Sequence, residues 1–216
     1  MANIITAGNS TNGGTAITTD TSGTLNIVTG SGSGATAVTV DGSGNMVVTG
    51  TLTASNGITG SIARGTAVAS TSGTSIDFTS IPSGVKRITV MFQGVSTNST
   101  NPIQVQIGSG SYTVSGYIST GARIAGTTSS ASSTVGFMVN TAPAATEINS
   151  GIFTLTNITS NSWVASFSGK SSTTLCLVAG GDVSLSGALD RLRIVGSTTG
   201  SPTDTFDAGS INILYE

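Results

Sequence analysis

Apolar and polar positions alternate through the second part of the chain, from about Gly65 onward. A side-chain period of two is typical of β-strands, and no window keeps the 3.6-residue helical period for three turns. Spacers rich in Gly, Asn, Ser or Pro separate the runs, for example Ser96–Pro102, Thr127–Ser133 and Gly196–Pro202. About eight to ten short strands with such spacers favour a β-sandwich or jelly roll. The main alternating runs are Ile88–Phe92, Ile103–Ile107, Gly151–Ile158, Trp163–Phe167, Thr174–Val178, Leu189–Val195 and Ser210–Tyr215.

The first part of the chain contains a repeat with a period of 21 residues. Thr15–Ile27 is followed by a copy at Thr36–Val48, and six of the thirteen positions are identical. Each copy predicts a strand, a turn and a strand, because Asp20 or Asp41 opens a turn that a Gly closes three residues later, with aliphatic residues on both sides. Two hairpins alone are marginally stable in water, so the repeat predicts burial against other chains.

Composition separates these two parts. Residues 1–60 contain no aromatic residue, Pro, Lys or Arg, whereas all ten aromatic residues lie between Phe78 and Tyr215. A segment without rings has little from which to build its own core. We therefore predict an all-β chain, with an N-terminal hairpin-repeat shaft or anchor over residues 1–62 and a β-sandwich or jelly-roll-like domain over residues 63–216. A trimeric shaft would bury a shared aliphatic axis, and the alternative is a flexible Gly/Ser linker.

Charge and residue content exclude several classes of protein. Charged residues make up 7% of the chain, and the formal net charge is −2. Seven basic residues do not form the electrostatic footprint of a nucleic-acid binder. One Cys and no His exclude a disulfide framework within the chain and zinc sites based on those residues. No apolar run approaches the roughly 20 residues that span a bilayer, and the N-terminus lacks the features of a secretory signal.

Candidate catalytic residues are few. Asp204 and Asp207 are the nearest approach to a carboxylate pair, but turn formation before the last strand is the favoured interpretation. Cys176 lies in an apolar run, where we expect a buried and unreactive thiol. No His is present to activate a Ser, and the Gly-rich segments lack the Lys and helix of a phosphate loop. We expect no enzyme activity and no cofactor, and calcium binding has no motif to support it.

Aromatic and basic side chains offer the better candidates for binding. Tyr112 and Tyr117 lie in a Gly/Ser-rich stretch and could stack on a sugar, so they are the candidate receptor-binding residues. Trp163 is predicted to lie in the core. Arg191 and Arg193 would project from one face of a strand, with solvent, a subunit salt bridge or a ligand as their possible partners.

Four segments resemble a module that recurs in structural proteins of tailed bacteriophages and prophages, usually at the C-terminal end of fibre-like virion proteins. The resemblance covers about residues 65–216, and Val47–Ala54 is similar to phage fibre shafts. It implies a trimeric fibre with its N-terminus on the virion and its C-terminal domain facing outward, and it implies no catalytic residue. The four segments are Gly65–Phe78, Ile81–Val90, Leu189–Ile194 and Asp204–Ile213.

The resemblance and the composition together predict a structural fibre protein of a tailed-phage virion, with a short tail fibre for host attachment as the first hypothesis. The alternative is a head fibre, decoration or adaptor protein without a receptor ligand. A small capsule depolymerase is a third and weaker hypothesis, because such enzymes usually carry long β-helices.

Partners and location follow from the same hypothesis. We expect a homotrimer, a phage tail or head protein bound through the N-terminal region, and a host cell-surface glycan, with no nucleic acid and no membrane insertion. Three identical weak sites would bind a polymeric glycan with avidity. We expect synthesis in the host cytoplasm without a signal peptide and a final location on the virion exterior. The candidate virion-attachment residues are Ile4, Ile5, Ile17, Leu25 and Ile27.

Overall fold

A computed structural model describes residues 24–28, 36–49, 62–141 and 143–216. The chain divides into two compact units, Met1–Ile58 and Thr59–Glu216. The described parts of both units consist of antiparallel sheets, and no helix occurs among them. The prediction of an all-β chain is therefore confirmed.

The first unit contains a three-stranded sheet in the order β1 (Leu25–Val28), β2 (Thr36–Val40) and β3 (Met46–Val48). The turn between β2 and β3 begins at Asp41, whose carboxylate accepts hydrogen bonds from the backbone N–H groups of Ser43 and Asn45, both at 2.9 Å. Gly44 has a φ of 82°, which suits Gly far better than any other residue. β2 and β3 pair as an antiparallel hairpin around this turn. The predicted turn of the first copy lies outside the described residues.

The second unit carries fourteen strands within residues 62–141 and 143–216. They form a nine-stranded sheet, in the order β11-β10-β15-β14-β13-β7-β17-β4 with β5 also paired to β17, and a five-stranded sheet, in the order β12-β8-β16-β6 with β9 paired to β8. The strands are β4 (Ala63–Arg64), β5 (Val68–Ala69), β6 (Ser75–Thr79), β7 (Arg87–Thr97), β8 (Ile103–Ser109), β9 (Ser111–Tyr112), β10 (Ile118–Ile124), β11 (Ser129–Ser133), β12 (Phe137–Met138), β13 (Asn149–Thr159), β14 (Ser162–Lys170), β15 (Cys176–Ser184), β16 (Arg191–Gly196) and β17 (Phe206–Tyr215).

One hydrophobic core lies between the two sheets of this sandwich. The smaller sheet contributes alternate aliphatic residues such as Val105 and Leu192, and the larger sheet contributes rings such as Phe153 and Trp163. Phe153 packs against Phe137 with ring centroids 5.7 Å apart. The predicted core position of Trp163 is confirmed, since 3% of the residue is exposed.

Three expectations for this unit are wrong. The structure has fourteen strands in the described part, more than predicted, because short edge strands supplement the long ones. Ser129–Ser133, predicted as part of a spacer, pairs with β10 as strand β11, since backbone pairing needs no apolar side chain. Cys176 is exposed, because it begins β15 and strand alternation turns Leu177 inward instead.

Candidate functional site

The outer face of the five-stranded sheet carries an unusual set of polar side chains, which we call the polar face. Gln104 and Gln106 occupy alternate positions of β8, between Val105 and its aliphatic neighbours that point into the core. Arg193 lies directly across from Gln106 on the adjacent strand β16, and Asp77 of β6 lies across from Arg193. Period-two alternation therefore separates these polar side chains from the core residues of the same strands, as predicted for Arg191 and Arg193.

Gln106 connects the polar face to two surface loops. It is fully buried, and its amide nitrogen donates hydrogen bonds to the carbonyl oxygens of Val135 at 2.8 Å and Gly200 at 2.9 Å. Its amide oxygen accepts a hydrogen bond from Nε of Arg193 at 2.7 Å. Every polar group of this buried amide therefore has a partner, and two surface loops are tied to the sheet through it.

Tyr112 lies over the two arginines of β16. The guanidinium carbon of Arg193 is 4.3 Å from the centre of the Tyr112 ring, and that of Arg191 is 5.8 Å away. Both distances fall within the range of cation–π attraction. The hydroxyl group of Tyr112 is buried and faces the carboxylate of Asp77. Burial and the nearby Asp77 carboxylate raise the pKa of Tyr112 above its usual value, so its hydroxyl stays protonated.

The short hairpin that carries Tyr112 is held against the sheet by backbone contacts. A Cβ atom at Gly108 would lie 2.0 Å from the carbonyl oxygen of Ser111, so only Gly permits this tight return of the chain. The carboxylate of Asp190 accepts hydrogen bonds from the backbone N–H of Gly110 at 3.1 Å and from Nε of Arg191 at 2.7 Å. The hydrogen bond from Arg191 lowers the pKa of Asp190, which stays ionised at neutral pH.

The structure corrects one of the two receptor-binding candidates. Tyr117 is fully buried, with its ring packed edge-on to Phe137 at 4.9 Å between centroids. Its hydroxyl group accepts a hydrogen bond from the N–H of Ile107 at 2.9 Å and donates to the carbonyl oxygen of Thr113 at 3.1 Å. A ring enclosed in the core cannot stack on a ligand. Tyr112 is half-buried and remains a candidate.

A groove opens at the other end of the polar face, and we call it the Gln104 groove. Its volume is about 320 Å³, at the lower end of the range of small-molecule sites. Gln104 lies in it, 1% exposed, and its side-chain oxygen has no hydrogen-bond partner. The groove is lined by Pro102, Gln104, Ser132–Val135 and Thr198.

None of the groove residues was singled out from the sequence. The loop residues lie in or beside the predicted spacers, where a Ser- and Thr-rich composition indicates only exposure. Gln104 lies in Ile103–Ile107, a run that predicts a strand. The one available signal is that Gln alternates there with Ile and Val. That signal could not distinguish a solvent-facing Gln from the buried one observed.

The remaining candidates lie elsewhere or outside the described residues. Asp204 is buried and accepts a hydrogen bond from the side chain of Asn101 at 2.8 Å, whereas Asp207 is exposed. Asp204 thus secures a loop, in agreement with the turn interpretation. Leu25 and Ile27 of β1 pair with Val40 and Val38 of β2. The other attachment candidates, Ile4, Ile5 and Ile17, lie outside the described residues.

Two other kinds of site are absent from the described ranges. No cluster of three or more Cys, Asp or Glu side chains there could hold a metal ion. No helix in those ranges is long and apolar enough to cross a membrane.

Comparison with known proteins identifies no relative: no family model, no curated protein and no solved structure matches this chain.

Proposed function

We propose that this chain is a structural fibre protein of a tailed-phage virion, acting as a short tail fibre that attaches to the host surface. The observation that carries the proposal is the contrast between the two units. A ring-free, charge-poor hairpin sheet precedes a sandwich that has a complete core and a polar outer face. This order suits a protein that assembles through its first part and recognises a ligand with its second.

Self-association is supported by the aliphatic residues of the three-stranded sheet. Val38 of β2 pairs with Val48 of β3, and Val40 pairs with Met46, so four aliphatic residues occupy one face of this hairpin. Met46 is 59% exposed, and Val38, Val40 and Val48 are partly exposed. Leaving such a face in water costs about 25 cal/mol for each Å² of apolar surface. We propose that three copies bury this face along a shared axis.

Attachment to the virion is assigned to the N-terminal unit in this proposal. Among the described residues, β1 and β3 each pair with one strand only, and residues 24–28 and 36–49 contain a single charged residue, Asp41. Unpaired backbone groups along the edge of a sheet readily pair with other strands when few charged side chains lie beside them. Ile4, Ile5 and Ile17 are the residues proposed to contact a tail or head protein, whereas Leu25 and Ile27 pair with Val40 and Val38, which are assigned to self-association.

Receptor binding is assigned to the sandwich, with a host-surface glycan as the ligand. The sandwich offers a half-buried aromatic ring, Tyr112, and exposed hydroxyl groups such as those of Ser132, Thr134 and Thr198, and these are groups that bind sugars. Three copies in a trimer would present three such sets of groups. Weak binding at each of them would then add up to firm attachment on a repetitive polysaccharide.

Two experiments on a phage that encodes this chain test the proposal. The first compares adsorption to host cells for the parent phage, for a phage lacking the gene, and for the deletion complemented in trans. We expect at least a tenfold loss of adsorption that complementation restores. Unchanged adsorption would contradict the receptor-binding role.

The second experiment locates the chain on the particle with gold-labelled antibodies raised against residues 63–216. We expect label at the tail. Label on the capsid, together with unchanged adsorption, would favour the head fibre or decoration protein. Particles without label would contradict a virion protein of either kind.

A further inference from the structure

The outer face of the nine-stranded sheet carries exposed aliphatic side chains. In β13 and β15, core residues such as Phe153 and Leu177 alternate with residues that point away from the core, and the register aligns the outward residues in rows across the strands. Contiguous exposed apolar surface marks interaction sites in soluble proteins. The aliphatic residues of this face, with exposed fractions of 40–70%, are Ile118, Ile124, Ile152, Val164 and Val178.

Two charges of opposite sign lie at opposite ends of this outer face. Lys170 pairs in register with Cys176 at one end, and Asp182 pairs with Val164 at the other. Both charged side chains are exposed, and neither belongs to an ion pair within the part of the chain that the structure describes. The two ends are six residues apart along the strands, which is a distance of about 20 Å. Lys170 and Asp182 therefore cannot meet within one chain.

The two ends are complementary to each other. The Lys170 end of the face includes Ile124, and the Asp182 end includes Ile118 and Val164. Between these ends, strands β10, β13, β14 and β15 present no charged residue on the outer face. One end of a copy can therefore form both an ion pair and an aliphatic contact with the other end of a second copy.

The size of the face indicates a weak contact. Five strands (β7, β13, β14, β15 and β10), about 4.8 Å apart and each contributing about 20 Å of length, give an area of roughly 500 Å². Stable interfaces bury about 800 Å² on each partner. The face alone would therefore hold two copies together only weakly. Three sandwiches carried by one trimeric shaft have a local concentration on the order of millimolar, which favours even a weak contact.

We infer that the three sandwiches of the proposed trimer contact one another through this outer face, with the Lys170 end of each copy against the Asp182 end of the next. Such a head-to-tail contact closes into a ring when each copy is rotated by one third of a turn. Ile124 of one copy then packs against Ile118 of the next. The inference rests on the proposed fibre function, in which the hairpin holds the trimer together, and it adds a second contact between the chains.

This contact also determines which surface remains open to a receptor. The polar face that carries Tyr112 belongs to the five-stranded sheet, on the other side of the core. With the nine-stranded sheets turned toward the trimer axis, the polar faces point away from it. A host-surface glycan would then reach Tyr112 from outside the trimer.

The test is cross-linking of the full-length chain with a carbodiimide, which joins a lysine amine directly to a carboxylate in contact with it. Mass spectrometry of the peptides identifies the linked residues. We expect a Lys170–Asp182 link in the trimer and at least tenfold less of it in a monomeric Met46→Asp chain, whose hairpin face carries a charge. A link between residues about 20 Å apart in one chain must join two chains. No such link in the trimer, or an equal yield in the monomer, would overturn the inference.

Matched variants locate the contact. Ile118→Arg places a cation beside Asp182, where it would face Lys170 of the next copy. Val114→Arg is the control, because Val114 is 43% exposed but lies beside Gly200 at the polar face. We expect Ile118→Arg to lower the yield of the Lys170–Asp182 link at least fivefold and Val114→Arg to change it less than twofold. Equal effects of the two variants would overturn the inference.

A copy from a second trimer is the other possible occupant of this face, and it would bring the same two charges together. Its signature would be a solution mass of six chains that falls to three chains in Ile118→Arg. That result would overturn the assignment of the contact to a single trimer.

Phage adsorption separates this inference from the proposed function. If adsorption requires the chain but the trimer gives no Lys170–Asp182 link, the contact between sandwiches fails and the fibre function stands. If the link forms but deletion of the gene leaves adsorption unchanged, the proposed receptor-binding role fails and the contact remains.

Discussion

The three-stranded sheet of the first unit and the sandwich of the second contain similar aliphatic residues but bury them to different extents. In the sandwich, alternate residues such as Val105 and Leu192 are fully buried between two sheets. In the hairpin of the first unit, Met46 and Val47 are each 59% exposed. The same period-two pattern thus produces a closed core in one unit and an open aliphatic surface in the other.

The difference lies in what each unit has available to cover its strands. The sandwich has a second sheet and all ten aromatic rings of the chain, eight of which lie in the core between the layers. The first unit has no ring, and the described residues form a single sheet. A single sheet can bury one face only against another layer, and in the proposed trimer the other copies supply that layer. On this account the sandwich is stable alone and the first unit drives assembly.

The largest expected effect comes from placing a charge on the aliphatic face of the hairpin. Met46→Asp would bury three unpaired carboxylates around the trimer axis, at a cost of about 3–5 kcal/mol for each charge. We expect the trimer to dissociate at micromolar concentration, measured by sedimentation velocity. Val47→Asp is the matched control. Val47 is as exposed as Met46 but lies on the opposite face of the hairpin. Dissociation of both variants, or of neither, would contradict burial of the Met46 face.

A core truncation in the sandwich should lower its stability without changing assembly. Leu192 is fully buried, so Leu192→Ala should reduce the free energy of unfolding of the sandwich by about 2–5 kcal/mol. Val178→Ala, at a residue that is 41% exposed, should change it by less than about 0.5 kcal/mol. Denaturant unfolding followed by Trp163 fluorescence measures both. If Leu192→Ala lowered the free energy of unfolding only slightly, Leu192 would not lie in a closed core between the two sheets.

Tyr112 and Tyr117 should differ in how much stability is lost when the hydroxyl group is removed. Tyr117→Phe leaves the N–H of Ile107 without its partner and should cost about 1–3 kcal/mol of sandwich stability. Tyr112→Phe removes a hydroxyl that faces the exposed Asp77 carboxylate, which water can solvate in its place, so stability should change by less than about 1 kcal/mol. The same unfolding assay compares them. A larger loss for Tyr112→Phe would contradict the observed hydrogen bonding.

The smallest expected effect concerns the hairpin turn. Hydrogen bonds from the side chain and backbone N–H of Asn45 lower the pKa of Asp41 below its usual value of 3.8. The carboxylate therefore stabilises the turn above pH 3.8, and this contribution is lost as the pH falls through the lower folded-state value. The amide signals of Gly44 and Asn45 should titrate with a midpoint below 3.8. Asp41→Asn should abolish that titration, and a midpoint at or above 3.8 would contradict the turn geometry.

Strand positions and the core could be predicted from the sequence because both depend on local alternation. Leu192 and Arg193 were assigned to opposite faces correctly, and Asp41 and Gly44 identified the hairpin turn. Cys176 was assigned to the core because its neighbours are apolar, but a strand turns alternate residues outward whatever their hydropathy.

The candidate site could be predicted only in part, because it depends on contacts between distant segments. Tyr112 and Tyr117 are five residues apart in the same Gly/Ser-rich stretch, and only the fold shows that one faces the arginines and the other the core. Gln104 meets Gly136 and Thr198 through loop packing, which has no periodic signal. The groove could therefore be found only from the structure.

The most direct test of the central claim is the solution mass of the full-length chain, measured by light scattering on a sizing column. The account predicts a mass of three times 21.2 kDa, because the first unit buries its aliphatic face in a trimer. A mass of 21.2 kDa at all concentrations would contradict it. The open hairpin sheet would then be stable without a second layer, and the contrast between the two units would not explain assembly.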